Sequence, residues 1–308
     1  MNRSVDLDLL LQPRLPSPVQ EVRDERFERY GVRLVLKRDD LVHPQLPGNK
    51  WRKLAPNLRV ALADGVGRIV TFGGAYSNHL RATAAAGRLL GIPTVGVVRG
   101  EELAGRPLNA SLARCAADGM RLHFVPRSLY RRKAEPEVLA GLLAQAGAQG
   151  AYVVPEGGSN AAAVAGCAEL GRELRGAADV VAVACGTGGT LAGLAAGLGA
   201  GQRAVGVPVL EGGFLAAEIR SLQRAAFEAP PANWELAEGY AWGGYARVPQ
   251  ALEAFAADFE QRHQLPVERV YVAKLLHALT DLTAAGRFPT GTTLAAVVTG
   301  HPEPSGPG

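Results

Sequence analysis

The sequence predicts an α/β protein built on mostly parallel, twisted sheets flanked by helices. Three observations carry that expectation. Short β-branched runs alternate with Ala- and Leu-rich stretches of helical length. Several of the runs, VVAVAC most clearly, are apolar at every position, as strands covered on both faces are. Gly-rich turns fall where a strand run gives way to a helical one.

Taken in order, strands are expected at Arg33 to Lys37, Arg68 to Phe72, Thr94 to Val98, Arg121 to Val125, Ala151 to Val154, Val180 to Ala184, Arg203 to Val207 and Thr293 to Thr299. Between them, His79 to Leu90, Ala110 to Ala117, Ala161 to Leu174 and Leu191 to Leu198 read as helices by length and composition. A chain of 308 residues exceeds most compact domains, so two lobes are expected. Soft boundaries lie at GNKWRKL and VPEGGSN, which assigns residues 1–52 and 159–308 to a larger lobe and 53–158 to a smaller α/β lobe. The stretch from Glu228 to Tyr245, rich in Pro, Gly, Trp and Tyr without a clear period, reads as an ordered loop or lid. The tail HPEPSGPG has the composition of a disordered terminus. No short internal repeat is present.

Bulk properties narrow the function classes. The hydrophobic fraction of 47% and charged fraction of 20% are those of an ordinary globular protein, and no apolar run reaches bilayer-spanning length, so no membrane partner is expected. The start MNRSVDLDLLLQP lacks the long apolar core of a secretory signal, which points to a cytoplasmic protein. The net charge of +4 is spread over scattered arginines, and the densest cluster, Arg127, Arg131, Arg132 and Lys133, reads as a solvated helix face. Nucleic acid is therefore not an expected partner. Cys115, Cys167 and Cys185 show no CxxC spacing and read as reduced structural thiols, and no metal cluster is visible among the six histidines.

Three loops carry candidate chemistry. In ACGTGGT, Ala184 to Thr190, a Gly-rich turn leads from a strand into a helix N-terminus and presents N–H groups to a single phosphate, with Thr187 and Thr190 as hydroxyl donors. It lacks the lysine of a nucleotide P-loop and the spacing of a dinucleotide fingerprint; a tight turn with close packing is its alternative reading. In TFGGAYSNHLRAT, Thr71 to Thr83, Ser77 is an N-cap, and Ser77, Asn78 and His79 could instead form a cradle for a second anion such as a carboxylate. In PGNKWRKL, Pro47 to Leu54, Lys50 sits at a Gly-Asn turn before a helical stretch, where a positive helix end favours a neutral amine able to attack an aldehyde. Surface cations at Lys50, Arg52 and Lys53 are the alternative there, and Pro56 leaves the first helical turn open.

In this order, GNKWRKL, GGAYSNHLRATAAAGRLLGIP and CGTGGTLAG closely resemble the 1-aminocyclopropane-1-carboxylate deaminase and D-cysteine desulfhydrase family, over most of the chain. The resemblance implies a two-lobed tryptophan synthase β-like fold of fold type II, with pyridoxal 5'-phosphate as cofactor, a small amino acid as substrate and a homodimeric assembly. It implies that Lys50 forms the Schiff base and later serves as a base. Asn78 would contact the cofactor ring hydroxyl, and the loop of Cys185, Gly186, Thr187, Gly188, Gly189 and Thr190 would grip the phosphate. Ser77, Asn78 and His79 would face the substrate carboxylate. GGYARVP and ERVYVAKLLHAL resemble the family's two tyrosine motifs, which adds Tyr245 and Tyr271 to Lys50 and Ser77 as the catalytic set, with Tyr245 also touching substrate. Either tyrosine could also be a core or rim aromatic. Thr299 in VVTGH resembles the residue that hydrogen-bonds the pyridine nitrogen in the desulfhydrase branch.

Departures from the family pattern shape the expected reaction. The ring-opening branch has Glu directly after the second tyrosine, where this chain has Val272, and commonly Gln where it has His79. The desulfhydrase pattern is not met fully either, with Ala75 and Tyr76 before the Ser-Asn pair and Val272–Ala273 in place of Thr-Gly. The expected activity is α,β-elimination and deamination of a small amino acid, D-cysteine foremost, giving pyruvate, ammonia and sulfide. Ring opening of 1-aminocyclopropane-1-carboxylate, racemisation and β-replacement are the alternatives within the same chemistry, and a non-catalytic nucleotide-binding module is the alternative outside it.

Overall fold

The computed structural model describes residues 6–46 and 48–301. The expected disorder of the last seven residues, and Pro47 of the third loop, therefore lie outside the described residues. Elements in the first half of the chain are α1 (Leu7–Leu11), β1 (Val19–Val22), α2 (Glu25–Glu28), β2 (Arg33–Lys37), α3 (Lys50–Ala63), β3 (Ile69–Gly73), α4 (Asn78–Leu90), β4 (Thr94–Arg99), α5 (Ala110–Ala117), β5 (Arg121–Val125), α6 (Arg127–Arg131) and α7 (Pro136–Gln145). There follow β6 (Tyr152–Val154), α8 (Ala161–Glu173), β7 (Val180–Cys185), α9 (Gly189–Gly197), β8 (Arg203–Pro208), α10 (Leu215–Ala226), β9 (Trp234–Leu236), α11 (Gln250–His263), α12 (Val272–Ala284) and β10 (Thr293–Val297). The eight strands expected from apolar runs are all present, shifted at their ends by no more than two residues. The α/β class is thus as the apolar runs implied.

The chain divides into two compact units, Met1–Pro13 with His43–Ser159, and Arg14–Val42 with Asn160–Gly308. In the first, a parallel sheet of order β5-β4-β3-β6 has β3 buried along its whole length. One face packs Val70, Phe72, Val95 and Val97 against Tyr130 and Leu142; another cluster gathers Leu80, Ala84, Val98, Leu112, Cys115 and Met120. Helix α3 runs through Pro56 instead of starting after it. A neighbouring side chain supplies a bond near that break, since Asn57 Nδ2 donates to Lys53 O at 2.8 Å.

In the second unit six strands lie in the order β1-β2-β10-β7-β8-β9, parallel except for the β1–β2 pair. Two apolar layers cover the sheet, one holding Phe259, Leu276 and Leu279 from α11 and α12, the other Val164, Leu191, Leu194 and Ile219 from α8, α9 and α10. Helix α9 is buried at nearly every position and packs backbone to backbone on α8. A Cβ on Gly193 would overlap Val164 O, one on Gly197 would overlap Ala168 O, and one on Gly171 would overlap Leu194 O. Only glycine lets these helices meet so closely, and that contact fixes the helix that begins at the GTGGT loop.

Among the described residues no helix is long and apolar enough to cross a membrane. Three of the four cations of the basic cluster near α6 pair with carboxylates: Arg127 with Glu102 at 2.6 Å, Arg132 with Glu135 at 2.8 Å and Lys133 with Glu156 at 2.9 Å. All three cysteines are buried and reduced.

Candidate active site

In the first unit, Gly48 takes a left-handed φ of +64° and turns the chain into α3, whose first residue is Lys50. The Lys50 ammonium is partly buried and lies 3.2 Å from Oδ1 of Asn49, itself 2% exposed. The reading of this stretch as surface cations does not hold, because Arg52 and Lys53 are 3% and 4% exposed. Lys53 Nζ donates to Gly157 O at 3.2 Å and to Ser159 Oγ at 3.1 Å. Three cationic side chains, Lys50, Arg52 and Lys53, thus lie in the first turn of one helix.

Strand β3 ends on Gly73, where a Cβ would sit 2.6 Å from Ser77 Oγ, so the turn that follows can fold back only over glycine. Ser77 is the N-cap of α4, its Oγ accepting from Leu80 N at 3.2 Å while the hydroxyl proton stays available to a ligand. Asn78 Oδ1 accepts from Arg81 at 2.5 Å, which leaves the amide N–H groups as what Asn78 presents. His79 differs from its neighbours. It is 2% exposed, with Nε2 at 2.8 Å from Thr71 Oγ1. The Thr71 hydroxyl gives its one proton to Val154 O at 2.8 Å, so the ring proton is on Nε2 and Nδ1 is an acceptor. Burial, with the positive charges of Lys50 and Lys53, holds the imidazole well below its ordinary pKa. A neutral ring with Nδ1 as acceptor braces the turn between β3 and α4 and offers no N–H to a carboxylate.

In the second unit, β7 runs into the loop Cys185 to Thr190 and then α9. The Cys185 Sγ is buried beside Gly206 in the layer under α9 and donates to Val183 O at 3.5 Å. Gly188 is the N-cap in the left-handed region at φ +77°, and a Cβ there would sit 2.5 Å from Ile219 Cγ1. The first helical bond is Ala192 N to Gly188 O, so the preceding N–H groups point out of the helix end, beside the hydroxyls of Thr187 and Thr190. Tyr271 Oη lies 3.2 Å from where a Cβ on Gly186 would be, and the Tyr245 ring stands edge-on to Tyr271 with centroids 6.0 Å apart and planes at 71°. Thr299 follows the end of β10 and is half-buried.

Of the residues named from sequence, Lys50, Ser77, Asn78 and His79 fall in the first unit; the loop Cys185 to Thr190, Tyr245, Tyr271 and Thr299 fall in the second. Within the second unit, Gly186, Tyr271 and Tyr245 are brought together. Three polar residues escaped the sequence reading, Asn49, Glu268 and Lys274, and Lys53 entered it only as a surface cation. Glu268 accepts from the N–H groups of Val270 and Tyr271 at 2.7 Å each and of Val272 at 3.2 Å, capping α12 and setting the Tyr271 backbone. An acidic residue just before an apolar helical stretch was the available signal.

A family model described as "Pyridoxal-phosphate dependent enzyme" matches residues 11–300. A "Putative 1-aminocyclopropane-1-carboxylate deaminase" of Thermotoga maritima is 35% identical over 198 residues, which is 62% of this chain and 61% of that protein, less than two thirds of its length. One of the same description from Pyrococcus furiosus is 30% identical over 84% of this chain and 82% of its own. A mitochondrial "Bifunctional D-cysteine desulfhydrase/1-aminocyclopropane-1-carboxylate deaminase" of Arabidopsis thaliana is 32% identical over 54% of this chain and 45% of its own. The crystal structure of an "ACC deaminase homologue" superposes with a TM-score of 0.80 at 27% identity, covering 97% of this chain and 95% of that one.

Proposed function

This chain belongs to the pyridoxal-phosphate dependent enzyme family, with the tryptophan synthase β-like fold and within the deaminase and desulfhydrase group, and on that premise we propose that it eliminates the β-substituent of a small amino acid and releases its nitrogen as ammonia. D-Cysteine is the substrate proposed first, with pyruvate, ammonia and sulfide as products.

The residues present fit the cofactor. The loop at the start of α9 has the donor set of a single phosphate monoester: N–H groups at a helix N-terminus, three glycines and two threonine hydroxyls. Lys50, placed at the first turn of α3, would supply the amine that holds the cofactor, with its Nζ 3.2 Å from Asn49 Oδ1. When bound, pyridoxal phosphate supplies an aldehyde that condenses with an amine and a ring that delocalises negative charge from Cα.

The protein side of the reaction then divides as follows. The Ser77 hydroxyl and the Asn78 amide donate to the substrate carboxylate and ring hydroxyl, on a turn braced by neutral His79. The Lys50 amine would take the Cα proton. Thr299 would offer the ring nitrogen a neutral hydroxyl and no strong proton donor, which suits elimination. Tyr271, with Tyr245 against it, moves a proton at the leaving group. The observation that supports this reading is the tyrosine pair beside Gly186, a phenolic O–H next to the loop proposed to hold the phosphate.

A second reading, opening of the 1-aminocyclopropane-1-carboxylate ring, is favoured by the descriptions of the relatives. Against it stands Val272, 1% exposed at the start of α12, where the ring-opening branch has Glu. The test begins with the visible spectrum before and after borohydride, with the reduced adduct located by peptide mass. A yellow protein with its adduct on Lys50, and no turnover in Lys50→Ala, is the expected result; an unchanged rate in that variant refutes the mechanism. Sulfide and pyruvate from D-cysteine support elimination, whereas a four-carbon keto acid from the cyclopropane substrate alone establishes ring opening.

A further inference from the structure

Lys274 lies in the first turn of α12, is 0% exposed, and donates through Nζ to Ala241 O and Gly244 O, both at 2.8 Å. An ammonium removed from water is costly unless held by acceptors, so a fold that buries one is using its charge. Burial pushes its pKa down, while the carboxylates of Glu268 and Glu211 act the other way.

Both carbonyls belong to the irregular segment between β9 and α11, which also sets Tyr240 and Trp242 against His277 of α12 and packs Val248 on the core. Its own backbone bonds include Gly244 N to Ala241 O at 3.0 Å and Arg247 N to Gly244 O at 3.2 Å. Trp242 and Ala246 are left-handed at φ +55° and +58°, a conformation unfavourable for residues with a Cβ, and Gly243 and Gly244 also have positive φ. Tyr245 follows Gly244 directly. The helix that carries Lys274 has as its N-cap Tyr271, the partner of Tyr245 in the edge-to-face pair. One cation therefore joins the backbone under one tyrosine to the helix of the other.

A charged ammonium on two carbonyl oxygens has the chemistry of a bound ammonium ion. A cavity of about 490 Å³ adjoins the same segment, lined in part by Ala241, Gly243 and the acidic residues Glu211, Glu238 and Asp281. We propose that Lys274 is the positioning residue for Tyr245, a tethered cation that fixes residues 238–247 through Ala241 O and Gly244 O, and that a free ammonium ion replaces it when the side chain is cut away. Its catalytic consequence rests on the assignment of Tyr245 to the substrate side; the loop-fixing role does not.

The experiment compares Lys274→Ala and Lys274→Met with the native holoenzyme by hydrogen exchange of peptides covering residues 237–249. It is done in ammonium chloride and in choline chloride of equal ionic strength, and turnover is measured in parallel. In choline chloride both variants are expected to exchange this segment at least about tenfold faster, because two bonds to a charged donor are lost. Cofactor absorbance at Lys50 is retained. Ammonium restores protection and turnover in Lys274→Ala but not in Lys274→Met, whose side chain fills the space. Native-like protection in both variants, or equal behaviour of Lys274→Ala in the two salts, overturns the proposal. If Lys274→Ala folds only with ammonium present the proposal is supported, and if it folds in neither salt the proposal fails. Exchange is read without catalysis, so a wrong assignment of Lys50 or of the substrate leaves this result interpretable.

Discussion

Gly193→Ala tests the contact on which the GTGGT helix is seated. In an exposed helix interior, replacing Gly by Ala stabilises by about 0.8–1 kcal/mol. At Gly193 the new methyl would overlap Val164 O and also lie 2.6 Å from Cys167 Cβ and 3.1 Å from Ala168 N. These atoms are backbone or Cβ and cannot rotate aside, so the overpacking cost belongs at or above the upper end of about 1–3 kcal/mol. The net expectation is destabilisation by about 2 kcal/mol or more, the opposite sign from propensity alone. Gly141→Ala in α7, where a Cβ would meet nothing within 4 Å, is the control and is expected to stabilise by about 0.5–1 kcal/mol. Urea denaturation followed by circular dichroism reads both; with a slope of about 2 kcal/mol/M, Gly193→Ala lowers the midpoint by about 1 M. Displacement of α9 also weakens binding of pyridoxal phosphate to the apoprotein, by about tenfold for each 1.4 kcal/mol lost at the loop. A Gly193→Ala protein as stable as the native chain would refute the argument.

Further expectations concern single side chains. The folded-state pKa of His79 lies below its ordinary 6.5, so the unfolded chain binds the proton first as pH falls. Stability from this group is present above that value and is lost as pH drops toward the folded-state one, at up to about 1.4 kcal/mol per pH unit. His79→Gln, measured by urea midpoints at about pH 7.5 and about pH 5.5, is expected to shrink the acid-side loss by that amount, with His123, shifted the same way, keeping a share. Glu268→Ala leaves three N–H groups at the start of α12 without their acceptor and is expected to cost about 1–2 kcal/mol, read as a lower melting temperature. Tyr271→Phe removes only the O–H beside Gly186; kcat is expected to fall about a hundredfold or more with KM little changed, and an unchanged kcat removes Tyr271 from proton transfer.

What could be read in advance follows from which signals are local. VVAVAC announces β7 because a strand covered on both faces needs apolar residues throughout, and the loops at Lys50, Ser77 and Gly186 are turn-to-helix motifs whose chemistry is written within a few residues. Strand β1 was missed because VQEV is half polar and pairs antiparallel at the sheet edge, and β9 because three residues inside a Pro- and Gly-rich stretch carry no period. His79 was expected at the substrate, and nothing in its neighbours announces that Thr71 on the preceding strand would capture it. Lys274 is the harder case. A lone lysine in VAKLLHAL looks like any lysine whose stem lies along an apolar face, and only the path of a loop thirty residues upstream brings two carbonyls to it. Close packing at Gly193 is likewise a property of two helices together.

The place of β10 has a consequence for how the chain is made. It pairs with β2 on one side, Thr293 opposite Arg33, and with β7 on the other, Leu294 opposite Val180. The last strand among the described residues is thus the one that joins the β1–β2 pair to β7, β8 and β9. On the ribosome those two groups stay unjoined until residues 293–297 emerge, while all four strands of the other sheet, β3 to β6, have long been available to pair. A nascent chain halted before Thr293 exposes two raw strand edges at β2 and β7, so it is this late interval, more than any earlier one, in which chaperones have a surface to protect.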